Sequence, residues 1–376
     1  MLHSKKMQNQ FRLKKMKIEN TNTPQQSSAM SPYFSDKLKV VSFLAIMMVL
    51  YMHAGYPEDT GVDMTIPMFV RNCLPETFGY CAVPMFYAIS GYLFFQNVES
   101  IGNVFRKMKK RVRTVLVPFV IAAVLFPLFF VVLEHIPGAS AYINSKSYTE
   151  MFVTQPLWDI LVALFYNCGN GFPCAFHLWF LADLIVVIFL SPLMFYLRKY
   201  AKSWSVGVMV LLFFLLPNVK FIYALYWFVT GSVVLDKLDR IPRSIVLLMF
   251  AAFVGMAVFR QVGDVRYWDF HRITEHTFGV FSMWCIYDYL VSKDFRLKNS
   301  AALSLACQFT FFLYLYHEPM FNIIVKVIPM VLGKNWFAYT MSFFVSPFVF
   351  APIGICVGII LRRYAGGIYR ILVGGR

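Results

Sequence analysis

Charged residues are scarce in this sequence, and acidic residues are scarcer than basic ones. Only 14% of the 376 residues are charged, with 19 Asp and Glu against 35 Lys and Arg. Soluble domains contain about 25% charged residues, whereas hydrophobic residues make up 59% of this chain. One water-soluble core cannot hide that much apolar surface, so a soluble enzyme is close to ruled out. The 40 Phe and 21 Tyr exclude a disordered chain as well.

The sequence also lacks cysteine pairs and metal-binding spacings. None of its 7 cysteines belongs to a CxxC pair, so neither a disulfide-built fold nor a metal cofactor is expected. Cys168 and Cys174 flank a short glycine-containing stretch, where a disulfide and two free thiols both remain open. A zinc site that adds His177 to them is disfavoured, because a fourth ligand is missing.

Long apolar runs, in contrast, are abundant. A helix needs about 20 mostly apolar residues to cross a bilayer, and ten runs of suitable length and composition occur. They predict an all-α fold, a polytopic transmembrane helical bundle of about ten spans. The predicted spans are residues 38–55, 80–96, 115–133, 176–197, 204–219, 221–235, 244–259, 274–291, 303–328 and 336–361.

The distribution of basic residues supports this topology, since Lys and Arg stay on the cytoplasmic side of a membrane. With the N-terminus and the C-terminus both placed in the cytoplasm, 27 of the 35 Lys and Arg fall on that side. The topology therefore accounts for the net charge of +16, and no nucleic-acid partner is expected. The sequence predicts a multi-pass protein of the bacterial inner (cytoplasmic) membrane.

Three segments follow from the same pattern. Residues 1–36 are polar and basic, with no apolar run before a cleavage site, so a signal peptide is not expected. We expect a disordered basic cytoplasmic tail there that contacts anionic membrane lipids. Residues 37–365 are predicted to form the transmembrane domain and residues 366–376 a cytoplasmic C-terminal tail, and no internal repeat is evident.

Three histidines lie inside the predicted spans or at their ends, where ionisable residues are costly and are therefore functional candidates. His53 lies near the outer end of the first span, and the alternative to function is an ordinary interfacial histidine. His177 opens the fourth span and fits an aromatic interfacial belt as well as it fits a functional role. His317 lies in mid-span, where the interfacial alternative is weak.

The residues next to His317 add two expectations. Glu318 could orient an imidazole ring or hold positive charge, and it could equally be a structural acceptor. Pro319 cannot donate a backbone hydrogen bond, so a carbonyl about one turn earlier, around Leu315, must find another partner. Imidazole can take and return a proton near neutral pH, which makes general acid and base chemistry the natural use of these histidines.

Two further segments are candidates. Ser90 and Gly91 form a pair that indicates close helix packing, and Ser90 is not expected to be an activated nucleophile because no His or Asp lies at a helix-compatible offset. The basic stretch at residues 105–113 either marks topology and contacts lipid phosphates or binds a polyphosphorylated ligand of the coenzyme A type. Its candidate cofactor-binding residues are Arg106, Lys110, Arg111 and Arg113.

These segments resemble, in the same order along the chain, motifs of the acyltransferase-3 family of bacterial membrane O-acyltransferases. The likeness covers about residues 35–365. The matching segments are residues 42–53 (SFLAIMMVLYMH, the first helix ending in His), 83–93 (VPMFYAISGYL, like PxFFxxSGYL), 111–119 (RVRTVLVPF, like RxxRLLxPY), 177–181 (HLWFL, like xxWFL) and 311–318 (FFLYLYHE, like SxxxYLxH). Two family arginines are absent, since Ser42 and Ala182 stand at their positions and the nearest cation to the first is Lys39.

The resemblance implies transfer of an acyl group from cytoplasmic acyl-CoA, with acetyl-CoA the expected co-substrate, to a hydroxyl of an envelope glycan, lipid-linked sugar or similar acceptor. For this chemistry the candidate catalytic residues are His53 as the general base, with His317 and Ser90, like Tyr314, as candidates for positioning the reacting groups. The implied substrate-binding residues are His177, Trp179, Tyr314 and Glu318. A homo-oligomer is left open.

Two other functions fit the same sequence. A transporter or flippase for a sugar or lipid would also use many spans and membrane histidines, although inverted repeats are not evident. A sensor or assembly partner of a polysaccharide-synthesis complex would make substitutions at His53 and His317 silent for the acyl content of the polymer.

Overall fold

A computed structural model describes residues 30–55, 61–73, 75–137, 147–169, 171–216, 219–262 and 269–375. Within these ranges every regular element is helical and no strand occurs, in agreement with the predicted all-α fold. The α-helices are α1 (Pro32–His53), α2 (Thr65–Cys73), α3 (Pro75–Phe78), α4 (Ala82–Phe95), α5 (Ile101–Arg111), α6 (Val117–Glu134), α7 (Tyr148–Thr154), α8 (Leu157–Phe165), α9 (Trp179–Phe189), α10 (Ser191–Ala201), α11 (Trp204–Leu215), α12 (Lys220–Val234), α13 (Arg243–Val262), α14 (Asp269–Leu290), α15 (Ala301–Gln308), α16 (Thr310–Tyr316), α17 (Met320–Leu332), α18 (Trp336–Tyr364) and α19 (Gly366–Leu372).

Each of the ten predicted spans overlaps at least one of these helices, but fewer pass a test of length and composition. Four continuous helices of the described chain are long and apolar enough to cross a bilayer: Ile101–Glu134, Lys220–Leu238, Arg243–Gln261 and Trp336–Tyr364. Two bent pairs raise the number to six if each pair is one span. The protein is thus a multi-pass membrane protein, while the ten-span count and the cytoplasmic termini stay predictions.

Both segments predicted as terminal tails contain helical residues. Residues 1–29 of the N-terminal segment lie outside the described residues, and α1 begins at Pro32, before the predicted boundary at residue 37. Ser31 caps this helix by accepting a hydrogen bond from the Phe34 amide (3.2 Å), and proline at the first position already has a helical φ. The C-terminal segment contains α19, whose Tyr369 packs against other aromatic rings instead of lying free.

Helices α4 and α12 cross with their backbones in contact. A Cβ atom added to Gly91 would overlap the backbone of Phe228, and one added to Gly231 would overlap the backbone of Ala88. Only glycine lets two helices approach this closely, and small residues at crossings are a common device in membranes. The close packing predicted from the Ser90-Gly91 pair is therefore confirmed.

Two buried ion pairs join helices that are distant in sequence. At one end of α1, Lys37 is fully buried and lies 2.6 Å from Asp288 of α14, which also accepts a hydrogen bond from Tyr33 (2.8 Å). Between α13 and α14, the Arg260 Nε lies 3.2 Å from Glu275. Removing one partner of such a pair leaves an uncompensated buried charge, which costs about 3–5 kcal/mol, so these pairs fix the order of the helices.

Two interrupted helices bring polar residues into the interior. The segments Phe176–Phe189 and Ser191–Ala201 meet at 62°, and Thr310–Tyr316 and Met320–Leu332 meet at 76°. His177 lies in the first turn of one pair, and His317 lies in the break of the other, directly before the cis peptide bond between Glu318 and Pro319. Backbone groups freed at such breaks need partners inside the protein, and the breaks are where the candidate site forms.

Candidate active site

Three histidines from distant parts of the sequence meet in one cluster, which we call the histidine cluster (His53, His177 and His317). The ring centroid of His317 lies 4.9 Å from that of His53 and 4.9 Å from that of His177. His53 comes from the last residue of α1, His177 from the start of the first bent pair and His317 from the break of the second. All three predicted histidines are therefore brought together.

Backbone carbonyls fix the protonation of two of these rings. The Nε2 of His177 lies 3.2 Å from the Leu315 carbonyl, and the Nδ1 of His317 lies 2.8 Å from the Tyr314 carbonyl. A carbonyl only accepts, so these nitrogens carry the protons in the neutral rings. The remaining nitrogens, Nδ1 of His177 and Nε2 of His317, are buried without a hydrogen-bond partner among the described residues. Each of these two nitrogens has a lone pair that can accept a proton.

The contact with Leu315 also answers an expectation from the sequence. Pro319 was expected to leave a carbonyl around Leu315 in need of a partner, and the His177 ring is that partner. Tyr314 completes the link in the other direction, because its hydroxyl donates to the carbonyl of His177 (3.0 Å). The two bent helices are thus joined by a pair of side-chain to backbone hydrogen bonds at the site.

Glu318 places a carboxylate beside the cluster. Its Oε1 lies 3.8 Å from Nδ1 of His53, close enough for ionic attraction and too far for a hydrogen bond. The Glu318 side chain is only 2% exposed, whereas that of His53 is 20% exposed, so His53 is the ring that a ligand can reach. Asn322 and Lys326 of α17 are the nearby polar groups that act electrostatically on Glu318.

The same groups could hold a metal ion. One ligand atom each of His53, His317 and Glu318 lie within 4.8 Å of one another, and catalytic zinc sites use three protein ligands of these types. No metal was expected from the sequence, where only Cys168, Cys174 and His177 stood out as possible ligands. The group of His53, His317 and Glu318 is not visible in the sequence, because only the fold brings residue 53 next to residues 317 and 318.

A cavity of about 920 Å³ extends from the cluster toward the start of α1, and we call it the cation-lined cavity. Tyr314 and Phe86 line its inner part, and their rings are 6.4 Å apart. The ring of Tyr314 lies 6.2 Å from that of His317, so the cavity ends beside the cluster. Its charged lining residues are all cations: Lys39, Lys107, Lys110, Arg111 and Arg362.

Two of the four predicted cofactor-binding cations line this cavity, and two do not. Lys110 and Arg111 line it, whereas Arg106 and Arg113 are exposed and do not. The reason is helical spacing, since positions 107, 110, 111 and 114 all line the cavity and share one face of α5 and its continuation. That spacing was the signal that would have selected Lys107 from the sequence.

Three other predictions concern the same region. Lys39 lines the cavity beside Ser42, so a cation is present one turn from the position where the family arginine is absent. Ser90 also lines the cavity, on α4. Trp179 is partly buried against the apolar core and lines none of the described cavities, so the structure does not bring it to the site.

A second cavity, of about 1000 Å³, lies toward the other end of α1, and we call it the carboxylate-lined cavity. It is formed by α6, α7, α8 and the loop that follows α8. Its charged lining residues among those described are Glu150 and Asp159. Cys168 and Cys174 also line it, with their sulfur atoms 2.8 Å apart, which is longer than a disulfide bond of about 2.05 Å.

Comparison with known proteins shows the family to which the chain belongs. The family model described as "Acyltransferase domain" (Acyl_transf_3) matches residues 36–362. The chain belongs to the acyltransferase-3 family. This acyltransferase, which transfers groups other than aminoacyl groups, is also similar to "Succinoglycan biosynthesis protein ExoH" of Rhizobium meliloti (strain 1021), with 25% identity over 362 residues, 91% of this chain and 92% of the relative. No solved structure matches it.

The match gives the histidine cluster of this acyltransferase a chemical context. The family match, residues 36–362, covers nearly all the described helices, from within α1 to the last turn of α18. Acyl transfer to a hydroxyl needs a proton acceptor beside a site that two substrates can reach, and the cluster lies between two cavities. Family membership favours acyl transfer over the transporter and sensor hypotheses.

Proposed function

We propose that this protein is a membrane O-acyltransferase that moves an acyl group, expected to be acetyl, from acyl-CoA to a hydroxyl of an envelope glycan. The observation that carries the proposal is the position of the histidine cluster between two cavities of opposite charge, each of which has aromatic lining residues in contact with the cluster. One cavity is lined by cations and the other by carboxylates. A polyanionic donor and a hydroxyl acceptor can therefore approach the same imidazole from different sides.

The cation-lined cavity is the proposed donor site. Acyl-CoA carries phosphate groups, and several fixed cations can pair with phosphate oxygens. Arg111 and Lys110 come from α5 and Arg362 from the end of α18, so the cations surround a ligand from two helices. The volume of about 920 Å³ lies within the range of small-molecule and cofactor sites, about 300–1000 Å³. The thioester end would point to Tyr314 and the cluster.

The proposed reaction uses His53 as the general base. Glu318 faces Nδ1 of His53, which leaves Nε2 to take the proton of the acceptor hydroxyl. The hydroxyl oxygen attacks the thioester carbonyl carbon, the carbon–sulfur bond breaks, and the leaving thiolate of coenzyme A takes the proton back from His53. The carboxylate of Glu318 stabilises the imidazolium formed between these steps. Neutral His177 and His317 border the reacting atoms without adding positive charge.

The acceptor is proposed to be a glycan because the relative is a succinoglycan biosynthesis protein by name. The cation-lined cavity is proposed to face the cytoplasm, where acyl-CoA is made, and the carboxylate-lined cavity to face outward from the bacterial inner membrane. This orientation agrees with the topology predicted from the basic residues. It also places the partly exposed His53 side chain toward the side on which envelope glycans lie.

Membrane vesicles supplied with radiolabelled acetyl-CoA test the proposal. Vesicles containing the wild-type protein should label a glycan, and His53→Ala should reduce labelling about 100-fold or more, the range for loss of a general base. His135→Ala is the matched control, because His135 is an exposed histidine at the end of α6 outside both cavities. Equal labelling by wild type and His53→Ala would contradict the assignment of the base, and absence of any labelled acceptor would contradict the function.

A further inference from the structure

The carboxylate-lined cavity touches the histidine cluster through two aromatic rings. Phe176 and Phe126 both line this cavity. The ring of Phe176 lies 5.5 Å from that of His53, and the ring of Phe126 lies 5.4 Å from that of His177. A molecule in this cavity is therefore separated from the proposed base by a single layer of side chains.

The walls of the cavity differ in chemistry. On one side, the rings of Phe130 and Tyr148 stack at 5.5 Å with an interplanar angle of 29° and present an apolar surface. The lining also includes the exposed carboxylates of Glu150 and Asp159. A sugar ring has an apolar face of C–H groups and a rim of hydroxyl donors, so it can satisfy both walls at once.

The charges of the described lining residues disfavour an anionic ligand. Two carboxylates and no Lys or Arg occur among these residues. A sugar phosphate or a pyrophosphate-linked sugar would bring its negative charge against the carboxylates with no compensating cation among the described lining residues, which like-charge repulsion makes unfavourable. An uncharged sugar meets no such cost and donates hydrogen bonds to the carboxylates.

Helix α8 places the cavity at the membrane surface. Leu157 and Trp158 on this helix are 72% and 73% exposed, while Ala163 is buried and lines the cavity together with Val162. A helix with an exposed tryptophan fits the membrane–water interface. The cavity therefore opens where a growing glycan near the membrane can enter it.

We propose that the carboxylate-lined cavity is the acceptor site and that it takes an uncharged, hydroxyl-rich sugar unit and rejects phosphorylated sugars. The inference rests on the proposed function and adds the class of acceptor. The sugar lies on the Phe130–Tyr148 wall, its hydroxyls donate to Glu150 and Asp159, and one hydroxyl reaches His53 past Phe176.

Saturation-transfer NMR on the full chain in detergent micelles tests the site with two probes, cellotetraose and glucose 1-phosphate. Cellotetraose should receive saturation from the wild type and glucose 1-phosphate should not. Glu150→Gln/Asp159→Asn should weaken cellotetraose binding about tenfold, because two charge-assisted hydrogen bonds become neutral ones. Glu99→Gln, an exposed carboxylate outside both cavities, is the matched control and should leave binding unchanged.

A charge-reversal variant tests the same inference in case the double variant does not fold. Asp159→Lys adds a cation at an exposed position and should let glucose 1-phosphate bind. Unchanged cellotetraose binding in the double variant, no cellotetraose binding by the wild type, or preference of the wild type for the phosphate would each overturn the inference. Binding of coenzyme A, followed by thermal shift, reads the proposed function separately, since none of these substitutions lies in the cation-lined cavity.

Discussion

The two cavities on either side of the histidine cluster have similar volumes and opposite charge. The cation-lined cavity contains five cations and no described Asp or Glu, and the carboxylate-lined cavity contains two carboxylates and no described Lys or Arg. A helix rises about 1.5 Å per residue, so Lys39 and His53 on α1 are about 20 Å apart. Helix α1 thus runs from the cation-lined cavity to the histidine cluster, and the cavities on the two sides of the cluster differ in charge.

The comparison of the two cavities leads to a prediction for substitutions. A substitution in one cavity should raise the KM for the substrate proposed to bind there and leave the KM for the other substrate unchanged. The largest effect is expected for Lys110→Ala/Arg111→Ala, which should raise the KM for acetyl-CoA about 100-fold because two charge-assisted contacts to phosphate are lost. The KM for the acceptor should not change. Steady-state kinetics with each substrate varied in turn measures both values.

The control for this variant comes from α5 and the helical segment that continues it. Arg106→Ala/Arg113→Ala removes the same number of charges from exposed positions outside the cavity. An equal rise of the KM for acetyl-CoA in the control pair would show that overall charge, and not the cavity, attracts the donor.

A smaller rise of the KM for acetyl-CoA is expected for Gly374→Ala. Gly374 lines the cation-lined cavity with φ +70°, and an added Cβ would lie 2.6 Å from Cα of Thr114. Left-handed backbone costs other residues about 1–2 kcal/mol, so the segment should shift and raise the KM for acetyl-CoA about tenfold. Gly367→Ala is the control, because its added Cβ meets nothing within 4 Å. If both variants behave alike, the C-terminal segment is not part of the donor site.

The smallest effect is expected for Glu134, which does not line the carboxylate-lined cavity itself and supports the start of α7 beside it. Glu134 accepts hydrogen bonds from the Tyr148 amide (2.7 Å), the Thr149 amide (3.0 Å) and the Ser147 hydroxyl (3.0 Å), and so holds the start of α7. Glu134→Gln should raise the KM for the acceptor about threefold, the scale of a weakened helix cap, and leave the donor KM unchanged. Hydrogen exchange of residues 148–154 should accelerate in parallel.

The control for Glu134→Gln is a substitution of the capping residue of another helix. Asp63 accepts hydrogen bonds from the amide (2.9 Å) and hydroxyl (2.7 Å) of Thr65 at the start of α2, outside both cavities. Asp63→Asn should therefore leave both KM values unaltered. A shift of the donor KM by Glu134→Gln would mean that the two cavities are not independent.

Local features of the site could be predicted from the sequence, and long-range ones could not. Hydrophobic runs located the helices, and Pro319 indicated the freed carbonyl that His177 satisfies. The approach of His53 to Glu318 depends on how the end of α1 packs against the break after Tyr316, which no local pattern encodes. The carboxylate-lined cavity was missed for a similar reason, because Glu150 and Asp159 lie in short helices whose positions depend on tertiary contacts such as those of Glu134.

The backbone contact between α4 and α12 has a consequence for turnover. Ser90 and Phe228, next to the crossing at Gly91, both line the cation-lined cavity. Two backbones already in contact cannot swing apart and close again without breaking the packing of the whole bundle. The lining also includes Tyr369 and Gly374 of the C-terminal segment, where α19 is only 7 residues long and begins with Gly366 and Gly367. If the cavity binds a nucleotide, as proposed, that ligand would have to enter and leave away from the crossing of α4 and α12.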